Sequence, residues 1–117
     1  MTPPLVAAFR AASLAAIIFA ALPFAAHGED ILTVTVVIKD GRLNPQTIEV
    51  PANTRFKIVV RNEGPGPAEF ESHDLRREKV LNAGSTSFVV IGPQKPGVYD
   101  MFDDFHPRTG RGRIIVK

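Results

Sequence analysis

"GVYDMFDDFHPRTGRGRIIVK", residues 97–117, reads as a strand, a charged loop and a second strand. Aromatic and apolar residues fill "GVYDMF", Pro107 and Gly110 punctuate the loop, and "GRIIVK" resumes with β-branched residues. Strand alternation places Tyr99, Met101 and Asp103 on one face and Asp100, Phe102 and Asp104 on the other. Packing Tyr99 and Met101 inward carries Asp103 inward as well, to the rim where the core meets the loop. A carboxylate there must be hydrogen-bonded or bound to a cation. His106 follows three residues later, with Pro107 stiffening the chain behind it. The Asp-x-x-His spacing thus brings two candidate metal ligands to one rim.

Upstream, the chain continues as short strands between turn signals. "ILTVTVVIK" (31–39) sets Leu32, Val34, Val36 and Ile38 on one face, and Asp40-Gly41 and Asn44-Pro45 mark a turn. "TIEVP" and "RFKIVVRN" follow, "EGPGP" interrupts, and "AEFES" restarts a strand. "HDLRREKVLNAGS" reads as a polar connection, with room for a short helical turn but no sustained apolar stripe. "TSFVVIGP" precedes the opening stretch. Seven or so short strands with turns every 8 to 12 residues predict an all-β, antiparallel Greek-key sandwich.

Residues 1–28 differ in composition from the rest. Arg10 precedes "AASLAAIIFAALPFAA", and small residues follow Pro23, which is the layout of a secretory signal peptide. Cleavage after Ala26 or Gly28 is expected, and the destination is the periplasm. The apolar run falls short of the roughly 20 residues of a membrane span. Residues 29–117 then form one domain of about 90 residues, a size at which one core suffices but margins are small. The chain has no cysteine, so disulfides contribute nothing to its stability. Of 14 basic residues one lies in the leader, and the remainder nearly balances 12 acids. That balance lacks the basic stripe of a nucleic-acid binder, and no nucleic-acid partner is expected. A hydrolase is not indicated either, since no nucleophile–base pair stands out.

The C-terminal pattern resembles the ligand loop of cupredoxins, the copper-binding β-sandwich family. Gly97 and Tyr99 match the family's Gly-x-Tyr, and Gly112 with "RIIV" matches its last strand. His106 falls on the loop histidine, and Asp103 stands where the family has cysteine. The methionine position is deleted or taken by Arg111. "NEGPGPAEFES" resembles the segment leading to the family's first histidine, with Glu69 and Glu71 in that neighbourhood. "AEFES" and "YDMFDDFHP" together are similar to cysteine-poor cupredoxin-like modules associated with bacterial high-affinity iron uptake. The resemblance implies a cupredoxin-like fold and a non-blue metal site, since blue copper requires a thiolate. Imidazole and carboxylates favour Cu(II), Fe(III), Mn(II) or Zn(II), and anionic oxygens favour the higher oxidation state.

The expected metal ligands are therefore Glu69, Glu71, Asp103 and His106, for copper or iron. Each has a plainer alternative. Asp103 also suits a turn cap, and Glu69 and Glu71 point away from the rim if Phe70 is core. His73 and Glu78 stay outside the expected ligand set, and Asp104 is read as solvated or as a partner to a ligand. Arg108, Arg111 and Arg113 suit solvation or docking. The function implied is that of an accessory in iron transport, delivering or oxidising iron for an inner-membrane permease and its redox partners. A ferroxidase activity would make it an enzyme. The alternative is an interaction module on the same fold with a degenerate metal site.

Overall fold

The computed structural model of the protein describes residue 2 and residues 30–117. The signal peptide expected over residues 1–28 thus lies, Thr2 aside, outside the described residues. Nine strands form in the described region: β1 (Leu32–Lys39), β2 (Arg42–Asn44), β3 (Thr47–Val50), β4 (Phe56–Asn62), β5 (Ala68–Ser72), β6 (Arg77–Leu81), β7 (Thr86–Ile91), β8 (Gly97–Asp103) and β9 (Arg111–Val116). They make two sheets, of order β2-β1-β4-β7 and β3-β9-β8-β5-β6. The β-sandwich read from the sequence is the fold.

Alternation builds the core. Val36 and Ile38 of β1, Phe56, Ile58 and Val60 of β4, and Val89 and Ile91 of β7 face inward from one sheet. Ile48, Val50, Ala68, Phe70, Leu81, Met101, Ile114 and Val116 meet them from the other. Two ladders run parallel, β1 with β4 and β3 with β9, so both sheets are mixed. They arise where the chain leaves one sheet for the other between β2 and β3 and returns later beside its own start. Alternation cannot report this, because it is the same in both pairings.

Two strands lie in stretches read from the sequence as connections. β2 sits inside the predicted turn, paired to β1 through Asp40 and Gly41, whose φ angles of 53° and 68° suit a tight two-residue hairpin. β6 occupies the polar connection and pairs with β5 from Ala68↔Leu81 to Ser72↔Arg77. Both are edge strands burying one residue each, Leu43 and Leu81. β2 has only three residues and β6 exposes four of its five, so neither carries an apolar period that could be read. Tyr99 hydroxyl donates to the Lys95 carbonyl at 2.7 Å, tying the approach to β8 at a corner of the sandwich.

Candidate metal centre

The pole of the sandwich is formed by the loop after β8 (residues 104–110), the link between β4 and β5 (63–67) and the β1–β2 turn. Each is fixed by its own bonds. Asn62, buried at the end of β4, donates through Nδ2 to the carbonyls of Gly66, Leu81 and Asn82 and accepts from Gly64 N. It thereby pins the Gly/Pro link. The 104–110 loop closes through Asp103 N to Gly110 O (2.7 Å), His106 N to Asp103 O (2.9 Å) and Gly110 N to His106 O (2.8 Å). Thr109 Oγ1 donates to the Gly41 carbonyl, joining this loop to the β1–β2 turn. Gly41 is required there: a Cβ would lie 3.0 Å from His106 Cδ2, on a backbone of positive φ.

Asp103 points inward, as its parity implied, and is fully buried. Its Oδ1 accepts from Glu69 N (3.0 Å) and Phe105 N (3.1 Å), and its Oδ2 lies 2.9 Å from His106 Nδ1. His106 is half exposed, at 51% of its side chain. The two residues border a cleft of about 330 Å³ whose other walls include Ile38, Gly41, Pro65 and Pro67.

Glu69 and Glu71 take a different place. Phe70 is core, so its two neighbours project from the outer face of β5, away from the cleft. There they meet Asp104, which parity also sends outward. Carboxylate oxygens of Glu69, Glu71 and Asp104 all lie within 4.8 Å of one another. Asp104 N donates to Glu69 O at 2.9 Å, which continues the β5–β8 pairing beyond Phe70↔Asp103 and sets the spacing of these acids. The four expected ligands therefore divide: Glu69 and Glu71 join Asp104 outside, and Asp103 joins His106 at the cleft.

The outer face has a marked charge arrangement. Glu78 pairs opposite Glu71 on β6, adding a further acid. The Glu69 carboxyl is raised above its ordinary value, first by partial burial and then by repulsion from Asp104, Glu71, Glu78 and Asp103. Among the described residues no lysine or arginine forms an ion pair with Glu69, Glu71 or Asp104. Arg111 lies over the Phe102 ring, 5.4 Å from its centroid, and Arg113 Nε donates to Thr47 Oγ1. These arginines serve packing and bonding of the sheet rather than neutralising the acids. His73, exposed at 70%, touches Glu71 through Nε2 (3.1 Å) and the edge of Phe102 (4.9 Å between ring centroids). Phe102 is thus buried outside the main core, between an imidazole and a guanidinium.

Asp100 is a structural carboxylate. Burial alone would raise it, but hydrogen bonds from Asp74 N, Ser72 Oγ and His73 N outweigh that and hold it below its ordinary value. Asp100 N returns a bond to Asp74 Oδ2 at 2.8 Å. Sequence reasoning set Asp104 apart from the ligands because it considered only the inner rim. Its outward parity, shared with Glu69 and Glu71, was the available signal.

A family model for the cupredoxin-like domain matches residues 11–116. The chain belongs to the cupredoxin-like family. An uncharacterized protein of Rickettsia prowazekii (strain Madrid E) is 41% identical over 88 residues, covering 75% of this chain and 70% of that protein. Reduced auracyanin from Roseiflexus castenholzii shares the fold with a TM-score of 0.63 at 12% identity, over 73% of this chain and 96% of its own. A copper-binding protein solved in its apo form gives the same TM-score at 21% identity, over 73% of this chain and 86% of its own. Within this cupredoxin-like frame the donor set is unusual. With no cysteine in the chain, a thiolate-ligated blue copper centre does not fit. Three converging carboxylates do fit a hard cation, with an imidazole within reach of one of them.

Proposed function

We propose that this cupredoxin-like protein binds a transition-metal ion in its higher oxidation state, Cu(II) or Fe(III), through Glu69, Glu71 and Asp104. The observation that carries this reading is a cluster of acids on the outer face with which, among the described residues, no lysine or arginine forms an ion pair. Three carboxylates are held within 4.8 Å of one another, and mutual repulsion helps raise Glu69. A bound cation relieves that repulsion, whereas in its absence the fold must tolerate it. Oxygen donors stabilise the more highly charged oxidation state, so the site suits capture and retention of an oxidised ion better than rapid electron cycling. The copper-binding relative and the fold support copper as the first metal to test.

The resemblance to iron-uptake modules extends the reading to a role in iron handling. The protein, exported by its leader to the periplasm, would receive or deliver iron beside a membrane permease or its redox partners. The metal reading is tested by equilibrium dialysis of Cu(II) and Fe(III) against the wild type and three variants. Glu69→Gln and Asp104→Asn are each expected to lower affinity at least tenfold, while His106→Gln changes it little. Equal binding by wild type, Glu69→Gln and Asp104→Asn would refute the site. No binding of either ion by any form would favour the interaction-module alternative.

A further inference from the structure

Asp103 occupies the position where the sequence resemblance put a metal ligand, yet both of its carboxylate oxygens already have partners within the fold. Its side chain is 1% exposed, with donors on Oδ1 from Glu69 N and Phe105 N and His106 Nδ1 against Oδ2. We infer that Asp103 is a positioning residue, which holds His106 as the Nδ1–H tautomer and fixes the backbone of Glu69 and the loop beside Asp104. In its metal aspect this rests on the function proposed above; in its tautomer aspect it stands alone.

The chemistry follows from the donor inventory. An ionised carboxylate only accepts, so a neutral imidazole facing it at 2.9 Å must carry its proton on Nδ1. A Cβ at Gly41 would lie 3.0 Å from His106 Cδ2 and 3.1 Å from Cγ, so the β1–β2 turn comes close to this ring, and the loop bonds from His106 N and His106 O fix the backbone beneath it. Nε2 is left without a proton, a preset acceptor at the margin of the cleft. The same carboxylate reaches across to β5. It binds Glu69 N while Asp104 N binds Glu69 O, so the peptide groups on either side of Glu69 are tied to the 103–104 segment. One buried side chain therefore sets both the imidazole and the spacing of two outer acids.

The test uses the metal-free, ¹⁵N-labelled protein, with His106 read by long-range ¹H–¹⁵N correlation at a pH where imidazole is neutral. Wild type is expected to show the Nδ1–H form. In Asp103→Asn the side-chain oxygen still serves Glu69 N and Phe105 N, and the amide nitrogen must donate to His106. That variant is expected to switch His106 to the Nε2–H form, the effect an Asp-to-Asn change has in other aspartate–histidine pairs. An Nε2–H form in wild type, or no switch in Asp103→Asn, overturns the inference. Cu(II) affinity supplies the second readout. Asp103→Ala is expected to lose about 10–100-fold, as loss of an orienting partner does, with most of it recovered in Asp103→Asn. Losses of equal size in the two variants would make Asp103 a ligand and overturn the inference. If Cu(II) binding ignores Glu69→Gln, the proposed metal site fails, and the tautomer still decides the role of Asp103.

Discussion

Glu69 is where the chemistry of this protein is most exposed to experiment at the scale of one residue. Its carboxyl is raised by partial burial and by four neighbouring acids. A carboxyl raised in the folded state favours folding while it is protonated. That contribution is fully present below the unfolded value of 4.5 and is lost as pH rises through the folded value. Metal-free Glu69→Gln is accordingly expected to melt above wild type at neutral pH, with the difference vanishing below pH 4.5. Paired thermal melts across that range check the sign. A wild type that is the more stable at neutral pH would remove the repulsion on which the metal reading depends. Asp100 acts in the opposite sense, since its lowered value stabilises the fold above 3.8 and fails as acid protonates it. At this scale the sequence revealed orientation but not partnership. Parity alone turned Asp103 inward and Asp104 outward. That Asp103 finds three donors there depends on Glu69 N, 34 positions away in the chain, which no local pattern encodes.

At the scale of elements, strands with a regular apolar alternation were legible, the edge strands β3 and β7 among them, whereas the edge strands β2 and β6 were not. β4 and β9 carry regular alternation because each packs one face on the core, whereas β6 shows four exposed residues before Leu81. β9 also shows how closely one element can constrain another. Gly112 faces inward between Arg111 and Arg113, and a Cβ there would run into the Gln46 carbonyl and lie 2.8 Å from Met101 Cε. The obstacle is backbone from the link between β2 and β3, so it cannot rotate aside as a side chain would. Gly112→Ala is expected to cost about 1–3 kcal/mol through overpacking. For a domain of this size that lowers the melting temperature by roughly 5–20 °C. A melt within a degree of wild type would show that the link can shift, and the β3–β9 pairing would then be looser than its register implies. The sequence marked Gly112 only as part of a family pattern. The contact that requires glycine is made by the crossing link, and crossings are what alternation leaves unread.

For the molecule as a whole, the two faces of the β5–β8 pair divide the work of stability and binding. The inner face closes the core down to Asp103, whose hydrogen bonds leave no buried polar side-chain atom without a partner among the described residues. The outer face carries the acids that repel one another. The described fold therefore does not need an ion to complete its core, and the cysteine-free chain is expected to fold cooperatively in the presence of a chelator. An ion bound to the outer carboxylates adds to that stability by mass action. At a free concentration 100 times its dissociation constant it contributes about 2.7 kcal/mol, which raises the melting temperature by roughly 10–20 °C for a domain of this size. Calorimetry with Cu(II) titrated over three decades is expected to show this rise, continuing logarithmically with concentration. Replacing Glu69, Glu71 and Asp104 together by their amides is expected to abolish the rise and to increase the melting temperature of the metal-free protein, because the same three charges that attract the ion also strain the empty face. A triple variant that loses the metal response but gains no stability of its own would place those carboxylates near the ion while denying that their repulsion prepares the site.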